Sequence, residues 1–439
     1  MRTAMLVAGG MFLLNSIGCS TRNGPLNTDN TPVSTPFAIA KSTSARETAA
    51  VPESLLSAQA TSINTFAVAL YKQLGAQAGN LFFSPYSITA ALGMTEAGAQ
   101  GTTQSQIRQA LSVTLPGDAF HAAINALDLS LMGHAQATDG LTLNMVNSTW
   151  TQSGWDFRVA YLDVLSRYYG AGVNLLDFIA APDPSRIIIN TWVADQTNQR
   201  IKDLIPQGAI TSDTRLVLTN AIYFLASWLY RFDASLTTNQ TFTKLDNSAV
   251  SAPLMQLGGN GTKLRMNYAR VGTARAIDLP YKGDRLRMTV LLPDKGSFPA
   301  FESSISVATV NALVQALDST DLPPVRLPKF TFTSGSVSLV PALQSLGMTD
   351  AFDDTKADFS GIDGRRDLVI TDVIHKAFIA VDEKGTEAAA ATAVIIGVTS
   401  MPVDPPSFVA DRPFIFLIRD RQTGVILFMG RIVDPTVQG

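Results

Sequence analysis

The chain reads as an α+β protein. Helical periodicity fills its first half, and strand-forming sequence rich in Val, Ile and Phe fills its second. Neither half carries a convincing internal repeat or a second folded module. With 46% apolar and 16% charged residues, the sequence can bury the core of one large domain.

The first 19 residues stand apart from that domain. Arg2 precedes an apolar run from Ala4 to Ile17, which has the length of a signal-peptide core and is too short for a membrane span. Cys19, the only cysteine, follows Ile17-Gly18 directly. That placement resembles the site at which bacterial lipoprotein precursors are cleaved and lipidated. Residues 1–19 are therefore expected to be a signal peptide, with lipidation at Cys19 or ordinary secretion as its two outcomes. The chain is expected to be exported, either extracellular or anchored as a lipoprotein in the periplasm or at the cell surface. Once the leader is removed, the domain contains no internal disulfide. Residues 20–56, rich in Ser, Thr, Asn, Pro and Ala, are expected to be a flexible tether, and residues 57–436 the folded domain.

Within the domain, helical spacing covers Ser57 to Leu74 and Ser87 to Ala99, then Phe120 to His134 and Val159 to Tyr168. Asp183 to Leu204 also reads as helix, and Arg215 to Phe224 as a buried strand. Strands dominate from Lys263 onward: Ala274 to Leu279, Arg285 to Leu292, Val325 to Thr333, Leu368 to Val381 and Phe414 to Phe428.

Between the last two lies a long loop with an unusual composition. From Gly385 the chain runs Thr386, Glu387, Ala388, Ala389, Ala390, Ala391, Thr392, and then turns β-branched from Val394 to Thr399 before breaking at Pro402. Four alanines and a glutamate form helix well in isolation. The strand-forming flanks favour a segment able to become a strand, and long loops in compact domains usually have a function. Held exposed, such a segment stores strain that is released when it enters a sheet.

These residues resemble the reactive-centre loop hinge of the serpin family, and the likeness extends from about residue 60 to 435. Asn80-Leu81-Phe82-Phe83-Ser84-Pro85-Tyr86-Ser87-Ile88 resembles the serpin segment that supports the opening region of the central sheet. Asn190-Thr191-Trp192-Val193 resembles the family's N-x-W-V helix, and Thr219-Asn220-Ala221-Ile222-Tyr223-Phe224 with Trp228 its strand and the tryptophan beneath the insertion point. His375-Lys376-Ala377 precedes the hinge as in serpins, and Arg412 to Asp434 resembles their C-terminal hairpin. The resemblance implies helices packed around a large central mixed β-sheet, two further sheets and an exposed reactive-centre loop.

It also implies a mechanism. A serine endopeptidase takes the loop as substrate and becomes trapped as a covalent acyl-enzyme while the hinge inserts into the central sheet. The hinge maps to Glu383, Gly385, Thr386, Glu387, Ala388, Ala389, Ala390, Ala391 and Thr392. By the period of two, Thr386, Ala388, Ala390 and Thr392 would face inward and Glu387 outward. Counting the usual loop length from Gly385 places the scissile bond at Thr399-Ser400, with Val398-Thr399 and Ser400-Met401 as alternatives. Small or β-branched residues there suit an elastase-like or subtilisin-like protease. With no basic residue from Gly385 to Ala410, a trypsin-like target is disfavoured. Conformational control maps to Ser84, Ser87, Asn220, Trp228 and His375, the histidine lying in a polar cluster with the asparagine and serines. Inhibition of papain-like cysteine proteases and a non-inhibitory binding module are the competing readings.

Hydrolytic catalysis is disfavoured on independent grounds. The chain has three histidines (His121, His134 and His375), no G-x-S-x-G elbow, and its single cysteine in the leader. No metal, small-molecule cofactor or nucleic-acid partner is expected, since the net charge is only -3 and Arg365-Arg366 lie beside Asp363 and Asp367. A monomer is expected.

Overall fold

The computed structural model describes residues 36–259, 263–386 and 407–438. Its central sheet contains, among the described residues, eight strands: β1 (Ala38–Ala40), β2 (Leu141–Gln152), β3 (Val173–Leu176), β4 (Leu216–Ser227), β5 (Phe330–Thr333), β6 (Val337–Ser338), β7 (Ile370–Val381) and β8 (Gly385–Thr386). They lie in the order β1-β3-β2-β4-β8-β7-β5, with β6 also on β7. The sheet is mixed. β4 and β7 run parallel and pair directly from Leu216 opposite Ile370 to Ile222 opposite Ala377, whereas β2 lies antiparallel to β4 along its length. β4 is apolar at most positions and buried nearly throughout, as a strand covered on both faces must be, whereas Thr371, Asp372, His375 and Lys376 interrupt the apolar residues of β7.

Among the helices that precede or interrupt these strands are α1 (Glu53–Leu74), α2 (Pro85–Glu96), α3 (Gly101–Ala110), α4 (Gly117–Ala137), α5 (Val159–Val164) and α6 (Pro182–Gln196). α2 starts where Ser84 accepts a hydrogen bond from the Ser87 amide and Pro85 occupies the first turn. Every residue of α2 is buried, so this helix lies inside the protein beneath the sheet. A second sheet includes the hairpin Phe414–Asp420 and Ile426–Ile432, with Leu81–Phe83 on its edge. A third joins Val325–Pro328, Ala249–Leu257 and Asp233–Thr243. The α+β class and the three-sheet arrangement thus match the sequence reading.

Three local expectations are corrected. The helix expected over Asp183 to Leu204 stops at Gln196, because Asn198 and Gln199 adopt left-handed backbone (φ 48° and 61°) that no helix continues. Thr197 caps the exit, its hydroxyl donating to the Val193 carbonyl at 2.8 Å and accepting from the Ile201 amide. The strand expected over Val325 to Thr333 is two strands in two sheets, divided at Lys329, whose amide bonds to the Pro253 carbonyl at 2.8 Å. Alternating apolar residues are common to both halves, so the pattern could not reveal the change of partner.

The tether expected over residues 20–56 does not hold from Ala38 onward. β1 adds to the edge of the sheet against β3, the Ser42 and Ser44 hydroxyls donate to Asp163, and α1 begins at Glu53. Low apolar content left the segment no core of its own, but backbone pairing and side-chain hydrogen bonds fasten it to the domain.

Candidate functional site: the open end of the central sheet

β4 and β7 are paired side by side only as far as Ile222 and Ala377. Beyond that level they part, and β8 stands between them, antiparallel to both: Gly385 lies opposite Ser227, and Thr386 opposite Ala226 and Val381. The chain reverses from β7 into β8 through a tight turn. The Asp382 amide donates to the Gly385 carbonyl at 2.9 Å, and the Asp382 carboxylate accepts from the amides of Lys384 and Gly385.

Glycine is required at 385 by space rather than by torsion. A β-carbon there would sit 2.1 Å from the Ala226 carbonyl oxygen and 2.8 Å from Ser227 Cα, both rigid backbone. Thr386 fits because it is small. Its side chain is buried, 1% exposed, and its hydroxyl lies 2.7 Å from Tyr281 Oη. Tyr281, which sequence reasoning missed, stacks on Trp228 at 4.5 Å between nearly parallel rings. Burial raises its pKa, so it stays a neutral phenol.

Trp228 ties this floor to the turn. Its Nε1 donates to the Asp382 carbonyl and its amide to the Lys384 carbonyl, each at 2.9 Å. Glu383 is held by Lys329 at 3.0 Å and by the Thr237 hydroxyl at 2.9 Å. Burial opposes its ionisation, but its backbone hydrogen bond, Lys329 and Thr237 together keep it below the usual carboxylate range. Of the remaining expected hinge and bond residues, Glu387, Ala388, Ala389, Ala390, Ala391, Thr392, Thr399 and Ser400 lie outside the described residues, as does Cys19.

Below the open end, where β4 and β7 are still paired, a polar cluster crosses the sheet. His375 on β7 is in register with Asn220 on β4, and Asn220 with Asn147 on β2, so three polar side chains meet at one level. His375 Nδ1 lies 2.5 Å from Asn220 Oδ1, while the Ser84 amide donates to His375 Nε2 at 3.4 Å. A neutral ring protonated on Nδ1 satisfies both contacts. Burial drives the His375 pKa down to about 3, which keeps that form at ordinary pH. Asn220 Nδ2 donates to Ser87 Oγ at 2.7 Å and to Asn147 Oδ1 at 2.5 Å, and Ser87 Oγ donates to Asn147 Oδ1 at 2.8 Å. Ser84 Oγ turns away to the Leu427 carbonyl.

The structure therefore brings Ser84, Ser87, Asn220 and His375 together and adds Asn147. No strand was expected over Leu141–Gln152; assigning one would have offered Asn147 as an interior polar residue. The basic pair is engaged locally, Arg365 with Asp363 at 3.1 Å and Arg366 with Asp358 at 2.6 Å.

The site is thus two parallel central strands, parted at one end by a buried two-residue insert and joined below by a hydrogen-bonded polar layer. The chain belongs to the serpin family: the family description Serpin (serine protease inhibitor) matches residues 61–435. It is 40% identical over 375 residues to an uncharacterized serpin-like protein of Thermococcus kodakarensis, covering 85% of each chain. It is 36% identical to antithrombin-III of Mus musculus, covering 82% of this chain and 77% of that one. Among solved structures, the native state of the thermophilic serpin tengpin superposes with a TM-score of 0.76 at 27% identity, covering 91% of this chain and 99% of that one. Proteins of this family are protease inhibitors, not enzymes.

Proposed function

We propose that this protein is an inhibitory serpin that traps a serine endopeptidase of elastase-like or subtilisin-like specificity. The observation that carries this reading is Gly385-Thr386 seated between β4 and β7, with a small side chain buried at the first inward position. The protease nucleophile attacks the carbonyl carbon of Thr399. The peptide bond to Ser400 breaks, a proton goes to the departing amine, and an acyl-enzyme remains. The cut chain then continues β8 downward between β4 and β7.

To advance, β8 must replace the direct pairing of Leu216–Ile222 with Ile370–Ala377 by two new antiparallel ladders. The Asn220–His375 bond lies on that route and must exchange partners. The cluster resists opening until the loop supplies replacements, because a buried polar group left unpaired is costly. Trapping succeeds if insertion outruns hydrolysis of the acyl bond. Small residues at 388, 390 and 392 favour speed, since nothing bulky or charged must be desolvated. We further propose that the chain is exported and tethered through lipidated Cys19, which palmitate labelling of wild type against Cys19→Ala would test.

Incubation of the chain with pancreatic elastase and with subtilisin, read by denaturing gel and intact mass, tests the inhibitory reading. A denaturant-stable adduct with release of a peptide beginning at Ser400 is expected. An adduct formed only with papain-like proteases would replace the target class, and cleavage without adduct by every class would remove the inhibitory reading.

A further inference from the structure

The turn between the strands Ala274–Pro280 and Leu286–Pro293 links the floor of the hinge to the end of α4. Tyr281 opens this turn and carries the hydroxyl that meets Thr386, while the next amide, Lys282, donates to the Ser227 carbonyl at 2.8 Å. Ser227 is the β4 residue opposite Gly385. The other side of the turn is fastened to α4. Arg285 donates to the Ser130 carbonyl at 3.0 Å and to its hydroxyl at 2.9 Å, and Lys282 pairs with Asp139 at 3.4 Å. Movement of the turn against α4 therefore reaches Gly385 and Thr386 through Ser227 and Tyr281.

His134, half-buried in the last turn of α4, is what the turn rests on. Gly283 has left-handed backbone, φ 82°, and a β-carbon there would lie 2.7 Å from His134 Cε1 and 3.2 Å from its Nε2. Nε2 itself is buried without a hydrogen-bond partner among the described residues, and Nδ1 lies 3.5 Å from Thr138 Oγ1. A neutral ring protonated on Nδ1 leaves one acceptor unpaired. An imidazolium in the same place would bury a charged N–H with nothing to receive it. The charged side chains of the elements packed here are Lys282, Asp284 and Arg285 on the turn, Asp139 beyond the helix and Asp420 on the C-terminal hairpin. None of the carboxylates is free. Asp420 is held by Arg285 at 2.9 and 3.0 Å, Asp139 by Lys282, and Asp284 by Arg287 at 2.7 Å and Arg421 at 3.0 Å. A helix C-terminus favours positive charge, but burial and then the Arg285 guanidinium hold the His134 pKa below the ordinary imidazole value.

We propose that His134 is a pH-sensitive latch on the hinge: neutral, it supports Gly283 and keeps Tyr281 under Thr386; protonated, it swings out to water, the turn loses its support and β8 leaves its gap more readily. The contacts run from His134 to Gly283, along the chain to Tyr281, and from Tyr281 to Thr386. The sign follows from linkage. The ring binds its proton more tightly once exposed, so acid favours the released turn; support is complete above about pH 6.5 and is lost as pH falls below it. His134 is thus a positioning residue, acting on the hinge through the turn. Only the consequence, a poorer inhibitor in acid, rests on the inhibitory reading. The latch itself belongs to the uncut chain.

Amide hydrogen exchange of the uncut full chain tests the latch without any protease. It is read at the Lys282 and Trp228 amides at about pH 7.5 and about pH 5, corrected for the intrinsic pH dependence of exchange. Protection at both amides is expected to fall by roughly threefold or more on acidification beyond the fall seen in His134→Gln. His375 titrates in both proteins and cancels in that comparison. Gly283→Ala, whose methyl group displaces the ring at any pH, should show the acid-like exchange already at neutral pH. Stoichiometry of inhibition against elastase over the same range reads the consequence, and wild type should need relatively more inhibitor per protease in acid than His134→Gln. Equal pH dependence of exchange in the two proteins overturns the latch. Equal pH dependence of stoichiometry with differing exchange overturns its bearing on inhibition. Should no protease form an adduct while exchange behaves as expected, the inhibitory reading fails and the latch stands.

Discussion

Gly385→Ala is the sharpest test of the hinge, because the structure says what the added methyl group meets. At 2.1 Å from the Ala226 oxygen it cannot be accommodated by turning a side chain, so either β4 shifts or β8 leaves the gap. Leaving is easier, since β8 has only two residues and β4 is paired along its length with β2. Departure breaks the Thr386–Tyr281 contact, the Trp228 amide bond to Lys384 and the Asp382–Gly385 bond. At about 1 kcal/mol each, the loss comes to about 3 kcal/mol. If about 2 kcal/mol of it falls on the first step of insertion, that step slows roughly 30-fold. The stoichiometry of inhibition against elastase should rise sharply, cleaved inhibitor replacing covalent complex on the gel. Amide exchange at Trp228 and Thr386 should also quicken in the uncut protein, a readout independent of any protease. Unchanged stoichiometry together with unchanged exchange would refute the assigned register.

Other outcomes follow from the same geometry. Thr386→Arg must desolvate a charge in a site where the native side chain is 1% exposed, so it should convert the inhibitor into a substrate; retained covalent trapping would count against the inward assignment. Cleavage between Ala393 and Ser400 should raise the melting temperature by at least about 10 °C as the loop becomes a central strand, and an unshifted melting curve would remove the insertion step. His375 carries a pH dependence. Its folded pKa, about 3, lies below an unfolded value near 6.5, so its contribution is complete above about pH 6.5 and is lost as pH falls toward 3. Between pH 7 and 5 unfolding measurements should show about 2 kcal/mol of loss from this group. His375→Gln should flatten the slope by that amount, whereas equal slopes in the two proteins would mean that burial leaves the histidine's affinity for protons unchanged.

The amino-acid sequence determined the elements whose signals are local. Proline at the start of α2 after a capping serine, the mostly buried apolar run of β4 and the small residues from Gly385 onward can each be read from neighbours a few positions apart. Resemblance carried the reading further, placing Ser84, Ser87, Asn220 and His375 in one cluster. Other features were fixed only by pairing between distant segments. Asn147 joins that cluster because β2 and β4 align it with Asn220, 73 residues away. Tyr281 sits beneath the hinge because Trp228 stacks on it, a contact that no periodicity encodes. Residues 38–47 look like linker by composition, yet become an edge strand and a set of anchors because β3 offers an unpaired edge and Asp128 an unpaired charge. A side chain's local preference is written in its own short stretch of chain. Which backbone edge or buried polar atom it must satisfy is decided only when the whole sheet has formed.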